Sequence, residues 1–169
     1  MNNQLSNRIS ATILSLLLWG VVWTTTFIGL SPTASALEYN KEILIKADFS
    51  GRDLTDSSFT KANLRQSNFS HANLRGVSFF AANLESANLE AADLTNATLD
   101  SARLIKANLT NAVLVGAFAA NAKFDGAIIE GADFTDVLLR RDEQQKLCKV
   151  AKGKNPVTGK DTRDTLYCP

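Results

Sequence analysis

The chain has 169 residues, with 18 Lys and Arg against 17 Asp and Glu, one His and 2 Cys. A formal net charge of +1 sets up no long-range field, which argues against a nucleic-acid partner and against imitation of one by an acidic surface. So few His and Cys cannot furnish a soft-ligand metal site, and a lone His has no second base or acid of its kind to work with.

Residues 1–36 read as a secretory signal peptide. Arg8 precedes the apolar run "ISATILSLLLWGVVWTTTFIGL", and "SPTASA" follows, with Ala34 and Ala36 matching the small residues of a signal-peptidase site. Cleavage after Ala36 is expected. An uncleaved anchor is the competing reading, because the run approaches the roughly 20 residues of a membrane span. The segment has neither a lipidation Cys nor an Arg pair, which favours general secretion over the twin-arginine route. The membrane is then met only during export, and Leu37 to Pro169 remain, 133 residues in one near-neutral domain.

Residues 37–46, "LEYNKEILIK", break the Ala-rich pattern that follows and carry Tyr39, Ile43, Leu44 and Ile45. They are expected to cap the first coil of what comes next.

From residue 47 to 141 the chain repeats with a period of five. The repeat centres are Phe49, Leu54, Phe59, Leu64, Phe69, Leu74, Phe79, Leu84, Leu89, Leu94, Leu99, Leu104, Leu109, Leu114, Phe124, Ile129, Phe134 and Leu139, with Ala119 as the one small residue in register. Two positions before most centres stands Ala, and the residue between is usually Asp, Asn, Ser or Thr. On an α-helix a period of five rotates successive centres by about 140°, so no common face forms. On a straight strand an odd period throws consecutive centres to opposite faces. The period works only if the chain turns a corner once per repeat, which restores the inward direction. Residues two apart on each short extended side then both face inward, and the polar residue between them faces water. Ala119 leaves a gap, which predicts either that Phe118 swings inward or that the coil is distorted there.

The units ADFSG, ANLRQ, ANLRG, ANLES, ANLEA, ADLTN and ANLTN resemble the A(D/N)LXX units of pentapeptide-repeat proteins. The resemblance implies an all-β solenoid, a right-handed quadrilateral β-helix with four pentapeptides per coil, so that residues twenty apart stack. Phe49 would then lie on Phe69 and Phe59 on Phe79, the two stacks facing each other across the axis.

Residues 142–169 form the C-terminal segment. Asp142 with Gln145 reads as a capping box, with Leu147, Val150 and Ala151 on one side and Gly153 as a stop, predicting a short α-helix that plugs the end of the solenoid. Cys148 and Cys168 lie outside the repeats, and in an exported chain they read as a disulfide; two free buried thiols are the alternative. From Arg140 onward there are 8 basic and 4 acidic residues, so this segment is net positive and the preceding body net negative.

The chemistry-bearing residues are sparse. His71 falls on a corner, "GKNPVTGKDT" has the wrong spacing for a phosphate loop, and no three outward acids converge; an oxygen-ligand cation site at Asp53 and Asp56 is not demanded by the spacing. No catalytic residue, cofactor or metal follows. The informative departure is apolar residues at outward positions: Phe80, Phe118, Ala120 and Leu138 fall on one side of a four-sided coil. Two readings stay open, a cover provided by the C-terminal segment or a patch for a partner, including a second solenoid as a homodimer.

The expected function is a noncatalytic structural or protein-interaction module of an exported compartment, with an unknown protein partner. A short exported solenoid with a two-Cys tail resembles the lumenal pentapeptide-repeat proteins of cyanobacteria and chloroplasts, which implies the thylakoid lumen, with the periplasm as the alternative. A DNA-mimicking topoisomerase-binding protein and a carbohydrate-active β-helix enzyme are the other readings; one needs a strongly acidic surface, the other converging acids.

Overall fold

A computed structural model describes residues 36–169. The expected signal peptide and Ala34 of its cleavage site lie outside the described residues, and Ala36 is the first residue within them.

Parallel bridges join residues twenty apart, from Glu38 with Ser58 through Asn63 with Asn83 to Phe118 with Leu138, recurring every five residues. A bridge to i+20 combined with a corner every five residues makes each coil four-sided. Each side contributes a single bridged residue, too short for a named strand. The corners are made by the residue two past each centre, which adopts positive φ: Lys61 at 58°, His71 at 59°, Ala91 at 53° and Asn111 at 59°. The amide three past the centre closes the corner, as in Ala62 N to Phe59 O at 3.0 Å. Positive φ at the third residue of a four-residue turn defines type II. His71 is therefore one of these exposed corner residues, in the conformation shared by Lys61 and Gln66.

The interior is continuous. The centres from Phe59 to Ala119 are at most 1% exposed, together with the Ala column beside them, from Ala82 to Ala122. The exceptions to the Ala column fit locally. Ser67 donates to Leu64 O at 2.7 Å and Ser57 accepts from Leu37 N at 3.1 Å, so both are buried with partners. Arg52 stays exposed and lays its guanidinium 5.6 Å from the centre of the Phe49 ring. At the far end Val137 and Leu139 are only partly buried, because no further coil covers them.

Phe49 and Phe69 are stacked at 4.9 Å, Phe59 and Phe79 at 5.3 Å, and the two columns meet edge to face, Phe59 with Phe69 at 5.6 Å. Tyr39 continues the second column, stacked on Phe59 at 4.8 Å. Residues 37–46 are thus not a separate cap but a further half-coil in register: Glu38 bridges Ser58, Ile43 bridges Asn63, and Tyr39 and Leu44 pack on the core as centres. The lost Ala pattern hid the continuing period. Ile43 and Ile45 sit on the outward positions and are exposed.

Ala119 draws neither of the expected responses in full. Phe118 remains outward at 52% exposure, and Ala119 N still reaches Leu138 O at 3.0 Å. On the two flanking sides Phe124 and Phe134 replace the Leu of earlier coils and meet edge to face at 6.3 Å. The aromatic pair has rotated by one side relative to the first coils. The distortion is confined to one corner: Asn121 lacks the positive φ of its counterparts, and both its amide N and its Nδ2 donate to Asp100 Oδ1, at 3.1 and 2.9 Å.

Helix α1 spans Arg141–Cys148 and helix α2 Thr162–Thr165. The capping box does not form. Arg140 is the N-cap residue, and Asp142 lies inside the first turn, accepting from Arg140 Nε at 3.0 Å. The helix ends at Lys149, before Gly153; Leu147 and Ala151 join the core while Val150 is exposed. Cys148 and Cys168 are disulfide-bonded, with Cα atoms 5.5 Å apart.

Candidate interaction surface

The four outward rows differ in kind. One carries Asp48, Asn68, Asn88 and Asn108 as an amide ladder: Asn68 donates to Asp48 at 3.1 Å, Asn88 to Asn68 at 3.3 Å, and Asn108 to Asn88 at 3.1 Å. Each of these side chains also accepts from the amide two residues on, as Asn68 Oδ1 does from Ser70 N at 3.1 Å. The next row carries Asp53, Asn73, Asp93, Val113 and Asp133. Thr55, Thr95 and Thr135 give both hydroxyl and amide to the aspartate two residues before them.

These bonds hold the carboxyls below the ordinary value of 3.8. For Asp53 the Thr55 hydroxyl and amide are the cause, and for Asp48 the Ser50 amide and hydroxyl. For Asp93 and Asp133 burial pushes upward, but the Thr95 and Thr135 donors outweigh it, helped by Arg75 and Lys160 respectively. The acids are thereby committed to the turns that follow them. Glu85 lies between Arg65 at 3.9 Å and Arg103 at 3.8 Å, and Asp93 pairs with Arg75 at 3.0 Å, so the outward charges run as ladders along the coil.

The apolar positions are not brought together as one patch. Phe118 and Leu138 are bridged neighbours, 52% and 56% exposed, and Ala120 lies half-buried two residues from Phe118. Phe80 is apart. It shares its row with Ala120, but Asp100 of the intervening coil lies between them, a separation of two coils or about 10 Å.

The C-terminal segment does not fold back over Phe118 and Leu138, which overturns the cover reading. It lies on the end of the coil. Gly131 N reaches Lys152 O at 2.9 Å, Phe134 N reaches Thr165 Oγ1 at 3.1 Å, and Lys160 Nζ reaches Thr135 Oγ1 at 2.9 Å. Two residues that the repeat pattern could not single out anchor it. Asn155 is 1% exposed; its Nδ2 lies 3.1, 3.2 and 2.8 Å from the carbonyl oxygens of Asn111, Ala112 and Gly131, and its Oδ1 accepts from Val157 and Thr158. Glu143, also 1% exposed, accepts from Lys146 at 2.9 Å and Lys123 at 3.5 Å. Asn155 followed by Pro156 carries a turn signal in sequence, but nothing local points to its long-range partners.

The family profile for pentapeptide repeats matches residues 43–79, 78–114 and 102–141. A solved pentapeptide repeat protein of the Arabidopsis thaliana thylakoid lumen is 50% identical, with a TM-score of 0.76, over 77% of this chain and 90% of that one. A solved pentapeptide repeat protein from Nostoc Pcc 7120 is 31% identical, with a TM-score of 0.53, over 62% of this chain and 86% of that one. Both imply a right-handed quadrilateral β-helix. Thylakoid lumenal 15 kDa protein 1, chloroplastic, of Arabidopsis thaliana is 63% identical over 35 residues, which is 21% of this chain and only 16% of that protein.

Proposed function

Because the chain belongs to the pentapeptide-repeat family, we propose that it is a noncatalytic structural or protein-interaction module that works in the thylakoid lumen after export. The observation that carries this reading is the state of the outward side chains. The Asn and Asp of two rows are spent on their own turns and on the next coil, while Phe118 and Leu138 stand together in water at the C-terminal end of another row. A surface of that kind contacts; it does not turn over substrate. The likeness to a thylakoid-lumen protein along most of the chain supports the compartment. The C-terminal segment serves as the cap that such a solenoid needs over its last coil.

The test is fractionation of the native host followed by capture with the intact protein, in parallel with Phe118→Ser/Leu138→Ser. A lumenal protein retained by the native chain and lost with the double substitution supports the reading. A cytosolic pool bound to a type II topoisomerase overturns it.

A further inference from the structure

Helix α1 presents a second surface, distinct from the Phe118 and Leu138 pair. A groove of about 710 Å³ runs along it, with Arg141, Gln144, Gln145, Lys149 and Tyr167 in its lining and Arg163 and Pro169 closing it together; no side chain in the lining is acidic. Arg141, Gln145 and Lys149 are four residues apart in succession, so they share one face of the helix. Arg163 is held as the opposite wall: its Nη1 donates to Cys148 O at 3.0 Å and its Nη2 to Pro169 O at 2.9 Å. Asp142, the acid next to Arg141 in sequence, is taken by Arg140 at 3.0 Å. Among the described residues, Arg141 and Lys149 make no ion pair.

We propose that this groove binds an acidic peptide segment of a protein partner. The positive ends are Arg141 and Lys149, separated by about 12 Å of helical rise. The floor between them is not purely a donor surface. Gln144 gives its Nε2 to Leu166 O at 2.6 Å, and the exposed Gln145 offers both a donor and an acceptor. A ligand that meets this pattern has carboxylates at its ends and N–H donors between them, which a peptide has and a phosphate chain lacks. The Tyr167 ring, 72% exposed at the rim, adds an apolar surface for the peptide's own side chains. An extended peptide advances about 3.3 Å per residue, so carboxylates four residues apart span the two cations.

The experiment is fluorescence anisotropy of a labelled peptide with two Glu separated by three Ala, titrated with the intact chain at low and moderate salt. Binding should be saturable and weaken about tenfold in Arg141→Gln/Lys149→Gln, and further in the Glu/Glu double substitution. It should be unchanged in Lys41→Glu/Lys61→Glu, which reverses two exposed cations on distant corners, and in Phe118→Ser/Leu138→Ser, which separates this groove from the surface above. The same peptide with Gln for Glu should not compete, and inorganic phosphate should compete no better than chloride at equal ionic strength. Circular dichroism melting keeps folding losses apart from binding losses. The proposal is overturned by absence of saturable binding, by equal weakening from the two pairs of cation substitutions, or by selective displacement of the peptide by phosphate.

Discussion

Gly76 and Gly126 occupy the same kind of corner, at φ +68° and +69°, yet they face different neighbours. A Cβ at Gly76 would lie 2.1 Å from Asp56 Oδ1, whereas at Gly126 the nearest atom is Lys106 Cγ at 3.5 Å. Ala81 and Ala91 already hold φ of 54° and 53°, so the corner itself admits Ala. Gly126→Ala should therefore cost about 1 kcal/mol, the ordinary left-handed penalty. Gly76→Ala should cost roughly 1 kcal/mol more, because the Asp56 carboxylate must leave its rotamer. In an Asp56→Ala background that excess should vanish, which urea unfolding of the double-mutant cycle measures.

The aspartates give a second prediction at this scale. Their folded values are lowered, so the stabilisation is complete above the unfolded value near 3.8 and is lost as pH falls through the folded values beneath it. Unfolding free energy should be flat near neutrality and decline as the medium becomes more acidic than about pH 5. By carboxyl NMR titration Asp93 should titrate below 3.8, and Thr95→Val should move it upward. An Asp93 value unmoved by that substitution would remove the Thr95 hydroxyl as a cause.

The C-terminal segment is held by two devices that act on different states of the chain. The disulfide restricts the unfolded ensemble across a sequence separation of 20, and replacing Cys148 and Cys168 by Ser should lower stability by on the order of 3 kcal/mol. Asn155 acts in the folded state, giving its amide to the carbonyls of Asn111, Ala112 and Gly131. Asn155→Ala should cost about 1–3 kcal/mol, and Asn155→Asp more, since a carboxylate would face those same oxygens. Equal midpoints for the two variants in denaturant would show that the amide does not donate there.

These elements also mark where sequence is legible. The coils are readable because a five-residue period forces each centre inward, whatever its neighbours do, and the four-sided coil that the resemblance implies adds the stacking of Phe49 on Phe69 and of Phe59 on Phe79. Tyr39 and Leu44 escape the pattern as centres because the Ala column that marks it begins only at Ala47. The tail has no period. Asn155 and Glu143 find partners 24 to 44 and 20 residues away, respectively, through a path that no local pattern encodes.

At the scale of the whole molecule, each coil contacts only the coils before and after it, so the interior is a stack of layers supported by their neighbours. Phe rings at one end, Leu in the middle and a rotated Phe pair at the other make one uninterrupted column. The exterior is thereby freed for contact, with the Asn and Asp side chains of two rows tied to their turns and Phe118, Leu138 and the basic face of α1 standing toward the C-terminal end. Leu94 stands in the middle of this column at 0% exposure, where a carboxylate would have no partner. Chemical unfolding of Leu94→Asp beside Gln66→Asp, a substitution at an exposed corner, tests the account most directly. Loss of several kcal/mol or of folding for the first, against a change of about 1 kcal/mol for the second, is the predicted result; equal midpoints for Leu94→Asp and the unaltered chain would contradict an interior built from every fifth residue.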